Sequence, residues 1–399
     1  MSEDGIPDGG YGWLVVIAGF LTNFIAVGDI IIWGVYLNAY LSMDLAVTGS
    51  TAEFMAVGTL AVASVFIFAP LSLFLYRFGF RFSLIIGSIL MSTGLILASF
   101  STHIWHLVLT QGFLFGIGSS INYMVILSVI PQWFSKRRGV ALGISSSGTG
   151  IGGLVLSLLA NYLINKYGVD WTYRTTGFIS IGINVIVIVL LRTRPQPYKK
   201  KPSVFDFHVL KNGNFLMWLI GSGISLIGYY IPLYYMPKYC TSLGIESSKS
   251  SILVGIAAAM NTLGRPVLGI IGDRIGSLNA FIIASTLSGL SCLFIWPFSR
   301  NFVTMLIFSI LYGFFGGIYF VVSPAITAGM VDVNSLNSGL SFLMFIGGVS
   351  SLGPPLSSLI QYGDDYLGVQ LFAGLPFLIA SAIFVALKVR ISRSLFSII

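Results

Sequence analysis

Charged side chains are scarce in this chain: only 9% of its 399 residues are Asp, Glu, Lys or Arg, and just 13 are acidic. A water-soluble fold of this length needs a predominantly polar skin, and so few charges cannot supply one. Cysteine is nearly missing as well. Cys240 and Cys292 belong to no close ligand pattern and mark no stapled extracellular module, so both read as membrane or interface residues. The histidines are His103, His106 and His208; they form no metal constellation, and the first two flank a span end beside Trp105. The sequence has no metal cluster, covalent-nucleophile constellation or dedicated ATP site, which argues against an enzyme and leaves no cofactor to expect. The first dozen residues carry Glu3, Asp4 and Asp8 instead of the basic start of a secretory leader, so the first apolar stretch is expected to be a retained span.

What fills the chain instead is hydrophobic: 56% of the residues, with a mean hydropathy of +0.92. Lipid is therefore the implied solvent, and the expected class is an all-α membrane protein. Apolar segments long enough for a bilayer core fall at 13–41, 52–76, 82–101, 103–131, 138–165 and 172–191. After a charged linker they recur at 213–238, 249–272, 279–298, 301–330, 336–361 and 366–388. About 20 helical residues cross the hydrocarbon, so twelve transmembrane helices are predicted, the longer ones tilted, broken or protruding.

The net charge of +8 does not point to nucleic acid, because the basic residues sit in short loops between apolar runs. There they set topology against an anionic membrane face. Fifteen lie on the side of Arg77/Arg81, Lys136/Arg137/Arg138, the 192–211 linker, Arg274 and the C-terminal Lys388, Arg390 and Arg393; five lie opposite, Lys166, Arg174, Lys238, Lys249 and Arg300. Both termini are thus expected in the cytoplasm. The linker divides a six-helix bundle over 1–191 from a second bundle and tail over 212–399, and it is too short to fold alone. A duplication marks the same division: Gly269-Ile-Ile-Gly-Asp273-Arg274-Ile-Gly276 and Ser72-Leu-Phe-Leu-Tyr-Arg77-Phe-Gly79 leave the second span of each half at corresponding places. Parallel six-span repeats are a transporter architecture with a passage between the halves.

Within the spans, glycine runs such as Gly143, Gly148, Gly150, Gly152 and Gly153 read as close helix packing. The Gly348–Pro355 run, Gly-Val-Ser-Ser-Leu-Gly-Pro-Pro, predicts a kink, either fixed or bending during gating. Asp29 stands near the middle of the first span, where an ionised carboxylate costs roughly 2.5–3.5 kcal/mol and must face protein or water, pair, or be protonated. A transport or proton role and a structural hydrogen-bonding role both fit it, with Asn23 as a nearby polar group. Arg265, in the eighth span, lies four residues from Asn261 and so can share a face with it; its fork suits a carboxylate. Asn122, Tyr123, Tyr229 and Tyr319 are candidate cavity residues for an organic solute. Arg77, Lys136, Arg137, Arg138, Asp273 and Arg274 are candidates for cytoplasmic gating or stability.

Two segments resemble the monocarboxylate transporter family of the major facilitator superfamily, fungal branch. They are Asp8-Gly-Gly-Tyr-Gly-Trp13 at the first span and Trp133-Phe-Ser-Lys-Arg-Arg-Gly-Val-Ala-Leu-Gly143 entering the fifth, with Arg265-Pro266 in support. The resemblance implies the major facilitator fold and alternating-access transport of a small organic anion, a monocarboxylate with proton symport. Riboflavin or another organic solute is an alternative cargo within the branch, and a non-transporting solute receptor is the alternative outside it. The family's eighth-span arginine carries over to Arg265. Its acidic partner position falls on Asn261, and its first-span lysine position on Ile31, in a span with no lysine. Membrane lipids and a small organic substrate are the expected partners, and a plasma membrane the expected location, with an internal membrane as the alternative.

Overall fold

Inside lipid a backbone amide or carbonyl has no water to bond, so each segment must satisfy its own, and the helix does this. The computed structural model describes residues 8–42, 51–75, 78–194, 206–332, 335–361 and 365–392, and almost all are helical. In chain order the helices are α1 (Gly12–Ile31, continued by Trp33–Ser42), α2 (Thr51–Ile67 and Ala69–Leu75), α3 (Phe80–Ala98) and α4 (Ile104–Leu107, Val108–Leu114 and Phe115–Val129). The long helical segment Arg138–Leu190 follows, and Gly168, at φ 85° and ψ 171°, breaks it into α5 (138–167) and α6 (169–190). After the linker come α7 (Gly213–Ser242), α8 (Ser247–Ile275), α9 (Ser277–Leu290, continued by Ser291–Ile295), α10 (Phe302–Gly316 and Tyr319–Met330), α11 (Leu336–Ser350 and Gly353–Ser358) and α12 (Leu367–Ser392).

Nine helices among the described residues are long and apolar enough to cross a membrane, counting Arg138–Leu190 once. Its two arms, together with the shorter apolar helices inside α2 and α11, bring the crossings to the twelve expected. Helix α11 is interrupted between Ser350 and Gly353, inside the run where the sequence predicts a kink.

The side-chain pattern is that of a protein turned inside out. On α6, Thr172, Thr176, Ser180 and Asn184, each four residues from the next, are buried, while Phe178, Ile181, Val185 and Val189 face outward. A water-soluble helix would show the reverse. The inward stripe is bonded: Ser180 meets Ser92 of α3 at 2.9 Å, and Asn184 donates to Ser180 Oγ at 3.2 Å. Cys240 and Cys292 are free and buried.

Packing divides the chain into two compact units, residues 1–135 with 145–205, and residues 136–144 with 206–399. In the first unit, Gly148 and Gly152 let α5 approach α1 until a Cβ on either would stand 2.2 and 2.1 Å from the carbonyl oxygens of Phe20 and Phe24. In the second, Gly264 and Gly313 do the same for α8 and α10, with such a Cβ 2.2 Å from Phe314 O and 2.4 Å from Ala257 O. These contacts set the positions of the polar residues described next.

Candidate functional site

Two buried polar clusters stand out, one in each unit. In the first, Asp29 of α1 is 0% exposed, and its Oδ2 accepts a hydrogen bond from Gln111 Nε2 of α4 at 3.2 Å. Gln111 is delivered by the π-helical turn Val108–Leu114. Gly94 of α3 presses on this turn, where a Cβ would lie 2.9 Å from Thr110 O and 2.7 Å from Phe115 N. A π-turn re-aims one side chain by a fraction of a helical turn, and such turns gather at functional places. Asp29 Oδ1, Gln111 Oε1 and the hydroxyls of Tyr36 and Tyr173 are buried with no hydrogen-bond partner among the described residues. Asn23 lies apart from this set: it donates to Gly19 O at 2.9 Å and to Ser145 Oγ at 3.3 Å.

In the second unit, Arg265 of α8 is 5% exposed. Its Nε donates to Asn261 Oδ1 at 3.0 Å, and Asn261 Nδ2 donates to Gly313 O of α10 at 3.2 Å. The guanidinium lies over the ring of Phe320, 5.1 Å from its centre, and Phe320 in turn meets Tyr229 and Tyr319 edge-on, each at 5.3 Å. Four residues singled out from the sequence, Asn261, Arg265, Tyr229 and Tyr319, are therefore joined through Phe320. Nothing in the sequence separates that ring from 30 other phenylalanines. Tyr319 also donates to Leu343 O at 3.3 Å, and the Tyr229 carbonyl accepts from the Tyr312 hydroxyl.

Asn122 donates its hydrogen bonds outside these two clusters. Asn122 is fully buried and donates to Ser88 Oγ and Asn184 Oδ1 at 3.3 and 3.2 Å, which ties it into the α3–α4–α6 polar stripe. Tyr123 is buried beside it on α4.

Asp273, at the end of α8, accepts from the backbone amides of Gly139 and Val140 at 2.7 and 2.9 Å. These amides open α5, where the first-turn N–H groups lack intrahelical acceptors and the helix dipole favours an anion. The segment 136–144 groups with the second unit, so this bond lies within it. Lys136, Arg137 and Arg274 are exposed and Arg138 is half-buried. Arg77 lies outside the described residues.

Residues 18–284 and 241–395 match the Major Facilitator Superfamily. The chain is 30% identical over 383 residues to the probable transporter MCH2 of Saccharomyces cerevisiae, which covers 93% of this chain and 81% of that one. It is 30% identical over 392 residues to the MFS transporter asaE of Aspergillus flavus, covering 97% of this chain and 89% of that one. Among solved structures, the major facilitator transporter FucP in its outward conformation matches with a TM-score of 0.71 at 12% identity, over 93% of this chain and 97% of the other, a likeness of fold. An inside-out helical protein of twelve crossings, matched along most of its length, is a small-solute transporter working by alternating access and not an enzyme: the chain belongs to the Major Facilitator Superfamily.

Proposed function

We propose that the cargo is a small organic anion of the monocarboxylate class, with Arg265 attracting and orienting the carboxylate and Asp29 serving as the proton-linked acid. The observation that carries this reading is a guanidinium at 5% exposure inside a membrane-spanning helix. Its contacts with the Asn261 amide and the Phe320 ring orient the fork. A desolvated, pre-oriented Arg binds a carboxylate more strongly than a solvated one does. Proton binding at Asp29 would change the charge of the first-unit cluster and bias the access equilibrium by its differential affinity for the two states. Asp273, together with Lys136, Arg137, Arg138, Arg274 and Arg77, is assigned to stabilising or gating the cytoplasmic side. Both termini are placed in the cytoplasm and the protein in a plasma membrane.

A second reading is a neutral or weakly charged organic solute such as riboflavin. The first span favours it, because Ile31 stands where the resembling family carries a lysine. Flux of monocarboxylates, riboflavin and neutral metabolites into vesicles holding the purified protein, with proton movement recorded together, separates the two. The expected result is saturable uptake of an organic anion that rises with an inward proton gradient and falls at least tenfold in Arg265→Gln. Saturable uptake of a neutral solute with no proton movement would overturn both the anion and the proton assignments.

A further inference from the structure

Gln111 Nε2 of α4 donates to Asp29 Oδ2 of α1 at 3.2 Å, a bond that joins two helices. Both side chains are buried, and among the described residues each is the other's one hydrogen-bond partner: Asp29 Oδ1 and Gln111 Oε1 have none. The backbones on either side are held. Gly28 packs α1 onto α5, where a Cβ would stand 2.9 Å from the Gly152 carbonyl carbon. On α4, the Thr110 hydroxyl donates to His106 O at 2.7 Å, and Gly94 closes on the π-turn from α3. The amide at the tip of Gln111 is the freer part, because the last torsion of a glutamine is broad and two-fold. A half turn about it exchanges Oε1 with Nε2, and no third hydrogen-bonding group among the described residues fixes either orientation. The charge on Asp29 therefore decides which way the amide points.

Resting on the reading of Asp29 as the coupling acid, we propose that Gln111 is the positioning residue that reads its protonation and passes it to the α1–α4 contact. With Asp29 ionised, the amide N–H donates to the carboxylate. When a proton arrives, one new O–H bond forms at Oδ2, the carboxylate becomes a neutral acid, and that oxygen turns from acceptor into donor. The amide makes its half turn, and Oε1 accepts from the new O–H. No other covalent bond forms or breaks, and no electrons are exchanged. The tie survives in both states but differs in strength, since a hydrogen bond to an ionised group is roughly twice as strong as a neutral one. Proton arrival thus loosens α1 from α4 at this point, a differential interaction able to bias the access equilibrium.

Tyr36, on Asp29's own helix, and Tyr173 of α6 are titratable groups within electrostatic reach of the carboxylate. The charged and histidine side chains of the surrounding helices stand near helix ends: Glu53 in the first turn of α2, Arg81 at the start of α3, His106 at the start of α4, Arg138 and Lys166 at the two ends of α5, and Asp170 and Arg174 early in α6. Arg174 is turned to Ser99 Oγ at 3.2 Å and lies over Phe100 and Trp171. A neutral amide is what meets the carboxylate. A fixed cation in its place would offer no acceptor to the protonated acid, whereas an amide serves both forms.

The test is the infrared spectrum of the full-length protein in lipid vesicles as pH is varied, with glutamine carrying a heavy carbon isotope at its side-chain carbonyl. Asp29→Asn assigns the carboxyl C=O band by removing it. In the wild type, a labelled glutamine band is expected to shift in step with that carboxyl band. In Gln111→Met, which keeps the length and lacks the amide, the glutamine shift is expected to vanish. The carboxyl band is expected to move to higher wavenumber there, as a carboxyl that has lost its partner does. Gln361→Met, in the second unit, is expected to leave both in place. A carboxyl band that titrates in the wild type with no glutamine band in step would overturn the role of Gln111 and leave Asp29 as the acid, a result read without any substitution at Gln111. A glutamine shift that persists in Gln111→Met would do the same. A wild-type protein with no titrating carboxyl band that Asp29→Asn removes would overturn both.

Discussion

Asn261 is the residue on which the choice of cargo turns. Its amide oxygen takes the Arg265 Nε–H at 3.0 Å while its amide nitrogen reaches Gly313 O across the α8–α10 contact, so one neutral side chain both orients the cation and ties it to the next helix. Replacing it with Asp would put a full negative charge at that oxygen. An internal carboxylate then competes with any external one for the same fork, and at low dielectric such a pair outweighs a neutral contact. Asn261→Asp is therefore expected to weaken organic-anion uptake about tenfold, roughly 1.4 kcal/mol, and to leave a neutral solute's uptake within a factor of two. Initial rates over a range of substrate concentration check this. Equal losses for both cargo types would show that the substitution disturbed the α8–α10 packing and not the charge.

At the scale of the element, close helix approach decides what the polar residues can do. Gly148 and Gly152 lie one turn apart on α5 against Phe20 and Phe24 of α1, the same turn-by-turn spacing on the partner. Because the blocking atoms are backbone oxygens, a new methyl group cannot be relieved by a side-chain rotamer change. Gly148→Ala is expected to destabilise the protein by about 1–3 kcal/mol, seen as a lower unfolding temperature in detergent. Asp273→Asn, which keeps the shape and loses the charge at the opening of α5, is expected to cost about 0.5–2 kcal/mol in the same measurement. The spans and these glycines were legible because apolar length and small-residue runs are local signals. The kink in α11 was legible for the same reason, since glycine and proline act on their own backbone. The π-turn of α4 was not, because Gly94 on another helix helps shape it, and a lone glutamine in an apolar span gives no hint of which side chain it will meet. The Asp273 cap was hidden too, its partners lying 133 and 134 residues away. Asp29 and Arg265 could be found as charges in apolar runs, and Asn261 by its spacing from Arg265, but Gln111 and Phe320 could be found only by folding the chain.

For the whole molecule, the distribution of basic residues supports one orientation in the membrane. Of the 21 Lys and Arg residues, fifteen fall in segments on the side of the 192–211 linker and five in the alternating segments, with Arg265 inside a span. Lys388 is one of the fifteen, yet it is buried and donates to Asn279 of α9, so it contributes less to an interfacial field than an exposed lysine would. The bias does not depend on it, since Lys136, Arg137, Lys211 and Arg274 on the same side are exposed. Each exposed basic residue near an anionic leaflet contributes about 1 kcal/mol of attraction, so removing one leaves the sum strongly one-sided. Cysteines introduced singly at Lys211 and Lys249 test the assignment, because both positions are exposed and the native Cys240 and Cys292 are buried from a water-borne reagent. In intact cells a membrane-impermeant thiol reagent is expected to label Lys249→Cys and to reach Lys211→Cys only after the membrane is opened. The reverse pattern would invert the topology, with the side of the 192–211 linker facing outward.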